Sequence, residues 1–274
     1  MTLRVSLTAR SAPIQSPVAT RDRAPTLNRQ AYRNARAAET GYAAKLRSLA
    51  DHIADIVRHY FGSSDVAISE ALNSFYVRDA LQRYAQAIGP WAEAVSTAML
   101  VDVERRDRGI WRQVGESMNR HLAQEIDSAP IGDRFRELMA QQVGLITSIP
   151  LDAAEDVHKM AIESVETGER PKDIATHIHG VTVSRANTIA RTEVGRASTT
   201  FLQARAEFVG SEKYVWRTMG DGAVRHDHRI LNGKTFDWGA PPVADQRTGA
   251  RAHPGCIYNC RCFADPIIPD FIAS

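Results

Sequence analysis

The chain has 274 residues, 43% of them hydrophobic and 24% charged, with a formal net charge of +2. That is long enough to bury a real core in one large domain or two smaller ones. No run of about 18 apolar residues occurs, which excludes a membrane-spanning helix, and the N-terminal stretch holds no apolar segment long enough for a secretory signal.

In chain order, the first feature is electrostatic. Residues 1–36 carry seven arginines (Arg4, Arg10, Arg21, Arg23, Arg29, Arg33 and Arg36) against one acid, Asp22, and no lysine. With its Pro, Ser and Thr content, the segment 1–28 is predicted to be a disordered or extended arm. Such an arm can lie along phosphates, along an acidic protein surface, or in solvent.

The region 29–149 reads as helical. Leu46, Leu49, Ile53, Ile56 and Tyr60 recur every three or four residues, the signature of one apolar stripe. Gly62 and the cluster Ser63, Ser64, Asp65 close that helix. A further helix is predicted over 67–88, stopped by Gly89 and Pro90. Trp111, Val114, Met118, Leu122 and Ile126 form another stripe. Pro130 and Pro150 are read as breaks, and the second marks the expected domain boundary.

From 150 to 274 the texture changes to a compact α+β domain with a few short strands. A helix over 152–166 is followed by a turn at Gly168 and Pro171 and a short helix. His177 and His179 are read as residues of that short helix's end. Next comes a regular helix over 184–209, with Ala186, Ala190, Val194, Ala197, Phe201, Ala204 and Phe208 on one stripe. KYVWRTM reads as a strand by alternation, VRHDHRIL as a short helix, and Asn232–Gly233 as a tight turn. The fold class is therefore α+β, a long and mostly helical N-terminal region followed by this domain.

Three constellations can carry chemistry. All three cysteines lie in HPGCIYNCRC (253–262), and their odd number argues for thiols over disulfides. Thiolates with imidazoles are what zinc selects. The expected ligands are His228, His253, Cys260 and Cys262, with Cys256 as substitute; the other reading has the thiols packed as small hydrophobes. Secondly, Glu193 falls on an apolar helix stripe, where an unpaired charge is costly. Its expected partner is Arg217, Arg225 or Arg261, with a catalytic acid as the alternative. Thirdly, Asp221, Asp227 and Asp237 beside histidines leave room for a metal-dependent nuclease.

The order of the pieces carries a resemblance. RANTIARTEVGRA (185–197), YVWRTMGDGAVRHDHRILNGKTF (214–236) and HPGCIYNCRC together resemble the C-terminal domain of the phage Mu F-like family of head-morphogenesis or minor capsid proteins. The matching positions are Arg191, Thr192 and Glu193; Trp216, Thr218 and Asp221; Arg225, His228, Leu231 and Gly233; and Pro254, Cys260, Arg261 and Cys262. The resemblance implies a polar cluster of Arg191, Glu193, Asp221, Arg225 and Arg261 around Cys-Arg-Cys. It also implies a non-enzymatic component of the phage head, made in the host bacterial cytoplasm and acting near the portal. Its expected partners are the portal protein, the major capsid protein and, through the arginine arm, packaged DNA without sequence preference, with no membrane. The alternative is a nuclease or an injected effector enzyme; only twelve residues follow Cys262, and no toxin module is expected there.

Overall fold

A computed structural model describes residues 25–61, 67–118, 129, 131–167 and 174–269. Among the described residues five long helices come first: α1 (Pro25–Phe61), α2 (Ala67–Ala87), α3 (Gly89–Met118), α4 (Gly132–Thr167) and α5 (Ile174–Phe208). Each hides one stripe. In α1, Ala38, Tyr42, Leu46, Leu49, Ile53 and Val57 are buried, at the spacing of three and four that keeps side chains on one helix face. In α5 the buried line runs through Ile178, Ala186, Ala190, Val194, Ala197 and Phe201. The two faces meet along α1 and α5, α2 lies along α4, and α3 touches α1, α4 and α5.

The C-terminal part adds β1 (Lys213–Arg217), α6 (His226–Leu231), β2 (Thr235–Asp237), β3 (Val243–Asp245), β4 (Ala250–Arg251) and β5 (Phe263–Ile267). The sheet order is β2-β1-β5, all antiparallel, with Tyr214 opposite Phe236 and Val215 opposite Asp265. β3 and β4 form a separate two-stranded piece. Tyr214 and Trp216 point into the core while Val215 and Arg217 are only half-buried, as the strand's period of two requires. The class is α+β, as expected.

Two apolar cores result. One fills the helical bundle; the other gathers Trp216, Tyr214, Trp238, Leu231, Cys260 and Cys262 around the sheet. Trp111 of α3 is fully buried in the second core, so the bundle contributes a wall to the sheet domain. At the same junction the Arg205 guanidinium of α5, 2% exposed, reaches Glu104 and Asp107 of α3.

Several expected boundaries differ. α1 opens at Pro25, so the last residues of the expected arm, with Arg29, Arg33 and Arg36, are helical; proline suits a first helical position. Arg4, Arg10, Arg21 and Arg23 lie outside the described residues. So do the cap at 62–65, the end of the stripe at Leu122 and Ile126, Pro130, and the turn at Gly168 and Pro171. The break expected at Pro150 is absent, because α4 runs through it. An interior proline costs roughly 3 kcal/mol, and burial of Ile146, Ile149, Ala153, Ala154 and Val157 around it offsets that. The short and long helices expected on either side of Gly180 are one helix, α5. His177 and His179 therefore sit near its start rather than at a helix end, and His179 Nε2 lies 2.8 Å from Asp51 Oδ1.

Candidate metal centre

The segment 253–262 is laid on α5 by one helix face. Thr192, Gly195 and Thr199 are spaced three and four apart and so share that face. The Thr192 hydroxyl accepts from Asn259 N at 2.9 Å, and the Thr199 hydroxyl donates to Pro254 O at 2.6 Å. Between them a Cβ on Gly195 would stand 2.8 Å from Gly255 O, so helix and loop touch backbone to backbone. Gly255 has φ 85° and Asn259 φ 55°, left-handed conformations that glycine and asparagine tolerate best. Arg191 adds a bond from its guanidinium to Asn259 Oδ1 at 2.6 Å.

From the other side, α6 is suspended from β1 by a tight turn. Asn232 (φ −58°, ψ 128°) and Gly233 (φ 80°) are the central residues of a type II turn closed by Lys234 N to Leu231 O at 3.0 Å. Gly233 N donates to Trp216 O at 2.8 Å. This holds His228 under the Trp216 ring, centroids 5.4 Å apart.

His228, Cys260 and Cys262 converge. Their donor atoms all lie within 4.8 Å of one another, and among the described residues no other group of three such ligand types does. His228 Nδ1 is 3.5 Å from each sulfur, and Cys262 N donates to Cys260 Sγ at 3.4 Å. All three residues are buried. The Cys260 thiol is pushed down to about 4, first by the hydrogen bond from the Cys262 thiol and then by His228, while Cys262 is pushed up by sharing that proton and by burial.

Two expected ligands go elsewhere. His253 Nδ1 lies 3.0 Å from the Tyr214 hydroxyl, and its ring packs on Tyr214 and Trp238. Burial depresses its pKa, so it is held neutral. Cys256 faces Thr199, and burial pushes its thiol up to about 12.

The expected polar cluster is distributed over separate junctions. Asp221 pairs with Arg261 at 3.2 Å and Arg225 donates to Tyr258 O at 2.7 Å, pinning the loop's outer side. Arg191 also reaches Glu39 of α1 at 3.2 Å. Glu193 does not meet Arg217, Arg225 or Arg261. It accepts from Gln142 Nε2 at 2.6 Å and lies 3.3 Å from Arg196, because its position on α5 faces α4 rather than the sheet. Gln142 Oε1 accepts from the Tyr42 hydroxyl at 2.8 Å, so a single amide links three helices. Burial raises the Glu193 pKa, with Arg196 and Gln142 opposing. Asp221, Asp227 and Asp237 do not form a metal group: Asp227 accepts from Gln246 N and Asp237 is 3.5 Å from Lys213.

Sequence reasoning missed Gln142, Tyr42, Thr199, Gly195 and the Arg205 triad. Only Gly195 left a readable signal, a glycine inside a regular helix at the spacing of the threonines flanking it.

Residues 155–264 match the family model described as phage Mu protein F like protein. By this match the segment is similar to a phage Mu F-like domain. It runs from the second half of α4 into β5 and contains α5, His228, Cys260 and Cys262. The chain is also similar to an uncharacterized protein of Haemophilus influenzae, 30% identical over 159 residues, which are 57% of this chain and 34% of the relative. The chain thus spans about a third of that relative's length. No solved structure matches the chain. Among the described residues, no helix is long and apolar enough to cross a membrane.

Proposed function

We propose that the chain is a head-morphogenesis or minor capsid protein of a tailed phage, a component of the virion that acts near the portal vertex and meets the portal and major capsid proteins. The match of residues 155–264 to the Mu F-like family carries this reading. The site geometry supports a non-enzymatic role. The carboxylates at 221, 227 and 237 are engaged in turns and ion pairs, and Glu193 is sealed between helices. Quantitative mass spectrometry of gradient-purified particles tests it. A fixed ratio of a few to about a dozen copies per portal is expected of a minor component at one vertex. Absence from both mature particles and assembly intermediates would sink the proposal.

Packaged DNA is the second partner. Seven arginines against one acid in residues 1–36 support weak, sequence-independent binding to phosphates that falls steeply with salt. Fluorescence anisotropy with duplex DNA at two salt concentrations, on the full chain and on a chain lacking residues 1–24, reads this. Affinity unchanged by the deletion would rule the arm out.

A further inference from the structure

We propose that His228, Cys260 and Cys262 bind one zinc ion, which ties α6 to the foot of β5 and closes the C-terminal core. A tetrahedral zinc with Zn–S about 2.3 Å and Zn–N about 2.0 Å sets the ligand edge from nitrogen to sulfur at about 3.5 Å. Both such distances here are 3.5 Å. Two sulfurs and an imidazole nitrogen are a soft set that favours zinc over magnesium or calcium. Charge also balances: two thiolates and a neutral imidazole cancel a divalent cation inside a core where a net charge would be expensive. The amide of Cys262 already donates to Cys260 Sγ, the kind of outer contact that steadies a ligating thiolate.

The three ligands sit in a frame held by contacts that do not involve them. Thr192, Gly195 and Thr199 hold the loop from α5, Arg225 and the pair of Asp221 with Arg261 hold it from outside, and the turn at Asn232 hangs His228 from β1. Among the described residues no fourth His, Cys, Asp or Glu joins the three, which leaves the fourth position to a donor of another kind, such as water. Cys260 and Cys262 also line a cavity of about 90 Å³ between α1, α3 and α5, enough for a water. The three buried ligands bridge segments about thirty residues apart, a loop whose closure by the ion disfavours the unfolded chain.

The test uses the full chain, purified under reducing conditions without chelator, with zinc measured by elemental mass spectrometry. About one equivalent is expected in the wild type and in His253→Ala and Cys256→Ser, and less than about a tenth in Cys262→Ser. Because Cys262→Ser can fail to fold, zinc is also stripped from the wild type and replaced by cobalt. Tetrahedral d–d bands with a thiolate charge-transfer band are expected, together with a fall in thermal midpoint on stripping. A folded, reduced wild type that holds less than about a tenth of an equivalent and shows neither cobalt band overturns the site. Loss of metal in His253→Ala or Cys256→Ser, with the fold intact by circular dichroism, overturns the ligand set.

Discussion

Gly195 and Gly180 lie on the same helix in opposite circumstances. A Cβ at 195 would press on Gly255 O at 2.8 Å, whereas one at 180 meets nothing within 4 Å. Gly195→Ala is expected to destabilise by about 1–3 kcal/mol through forced separation of helix and loop. Gly180→Ala should instead gain roughly 0.5–1 kcal/mol from reduced freedom of the unfolded chain. Urea unfolding of the two variants reads the contrast, and equal effects would remove the close-contact argument. Glu193 supplies a pH signature. Its folded pKa is raised by burial, so the folded state keeps its proton where the unfolded state has lost it. Stability from this group is therefore highest below its ordinary pKa of 4.5 and declines as pH rises from there. Glu193→Gln is expected to flatten that decline, so its advantage over the wild type grows between pH 4 and neutrality in thermal melts. The triplet Arg191, Thr192, Glu193 was visible in the sequence, and so was the need of Glu193 for a partner. Its direction was not, because three adjacent helix residues point about 100° apart and face α1, the loop and α4 in turn.

At the scale of elements, the helices were legible because their apolar stripes are regular, and β1 because Tyr214 and Trp216 alternate with half-exposed neighbours. Pro150 misled because proline's local cost is readable and the burial around it is not. The ion triad joining α3 to α5 had no signature at all, since Arg205 lies 98 and 101 residues from its partners. With side chains 2–9% exposed, it stakes stability on complete pairing. Arg205→Ala would leave Glu104 to Arg108 alone and take the buried guanidinium away from Asp107, and is expected to cost about 3–5 kcal/mol. Replacing Glu104, Asp107 and Arg205 together by apolar residues of similar volume should recover most of that loss. Chemical denaturation of both variants measures it, and a single substitution costing under about 1 kcal/mol would show that the triad is solvated.

For the whole molecule, the boundary expected at 149/150 falls inside α4, and the Mu F-like match begins at 155, inside the same helix. Ala186, Ala190, Val194, Ala197 and Phe201 of that domain are buried in the core shared with α1–α4. A fragment of residues 150–274 would expose this face. It is expected to bind a hydrophobic dye and to lack sharp near-ultraviolet dichroism; a cooperatively melting, dye-free fragment would show the domain to be autonomous. The two cysteines that meet at His228 were nameable in the sequence, but which imidazole joined them depended on how α6 hangs from β1, a long-range fact.

Trp111 has a spectroscopic consequence. Of the four tryptophans, Trp111, Trp216 and Trp238 share the second core, and Trp91 borders the first. Indole emission is thus dominated by the sheet domain, while far-ultraviolet ellipticity is dominated by the bundle. Superimposed unfolding curves from the two signals would mean that the halves of the molecule melt as one body.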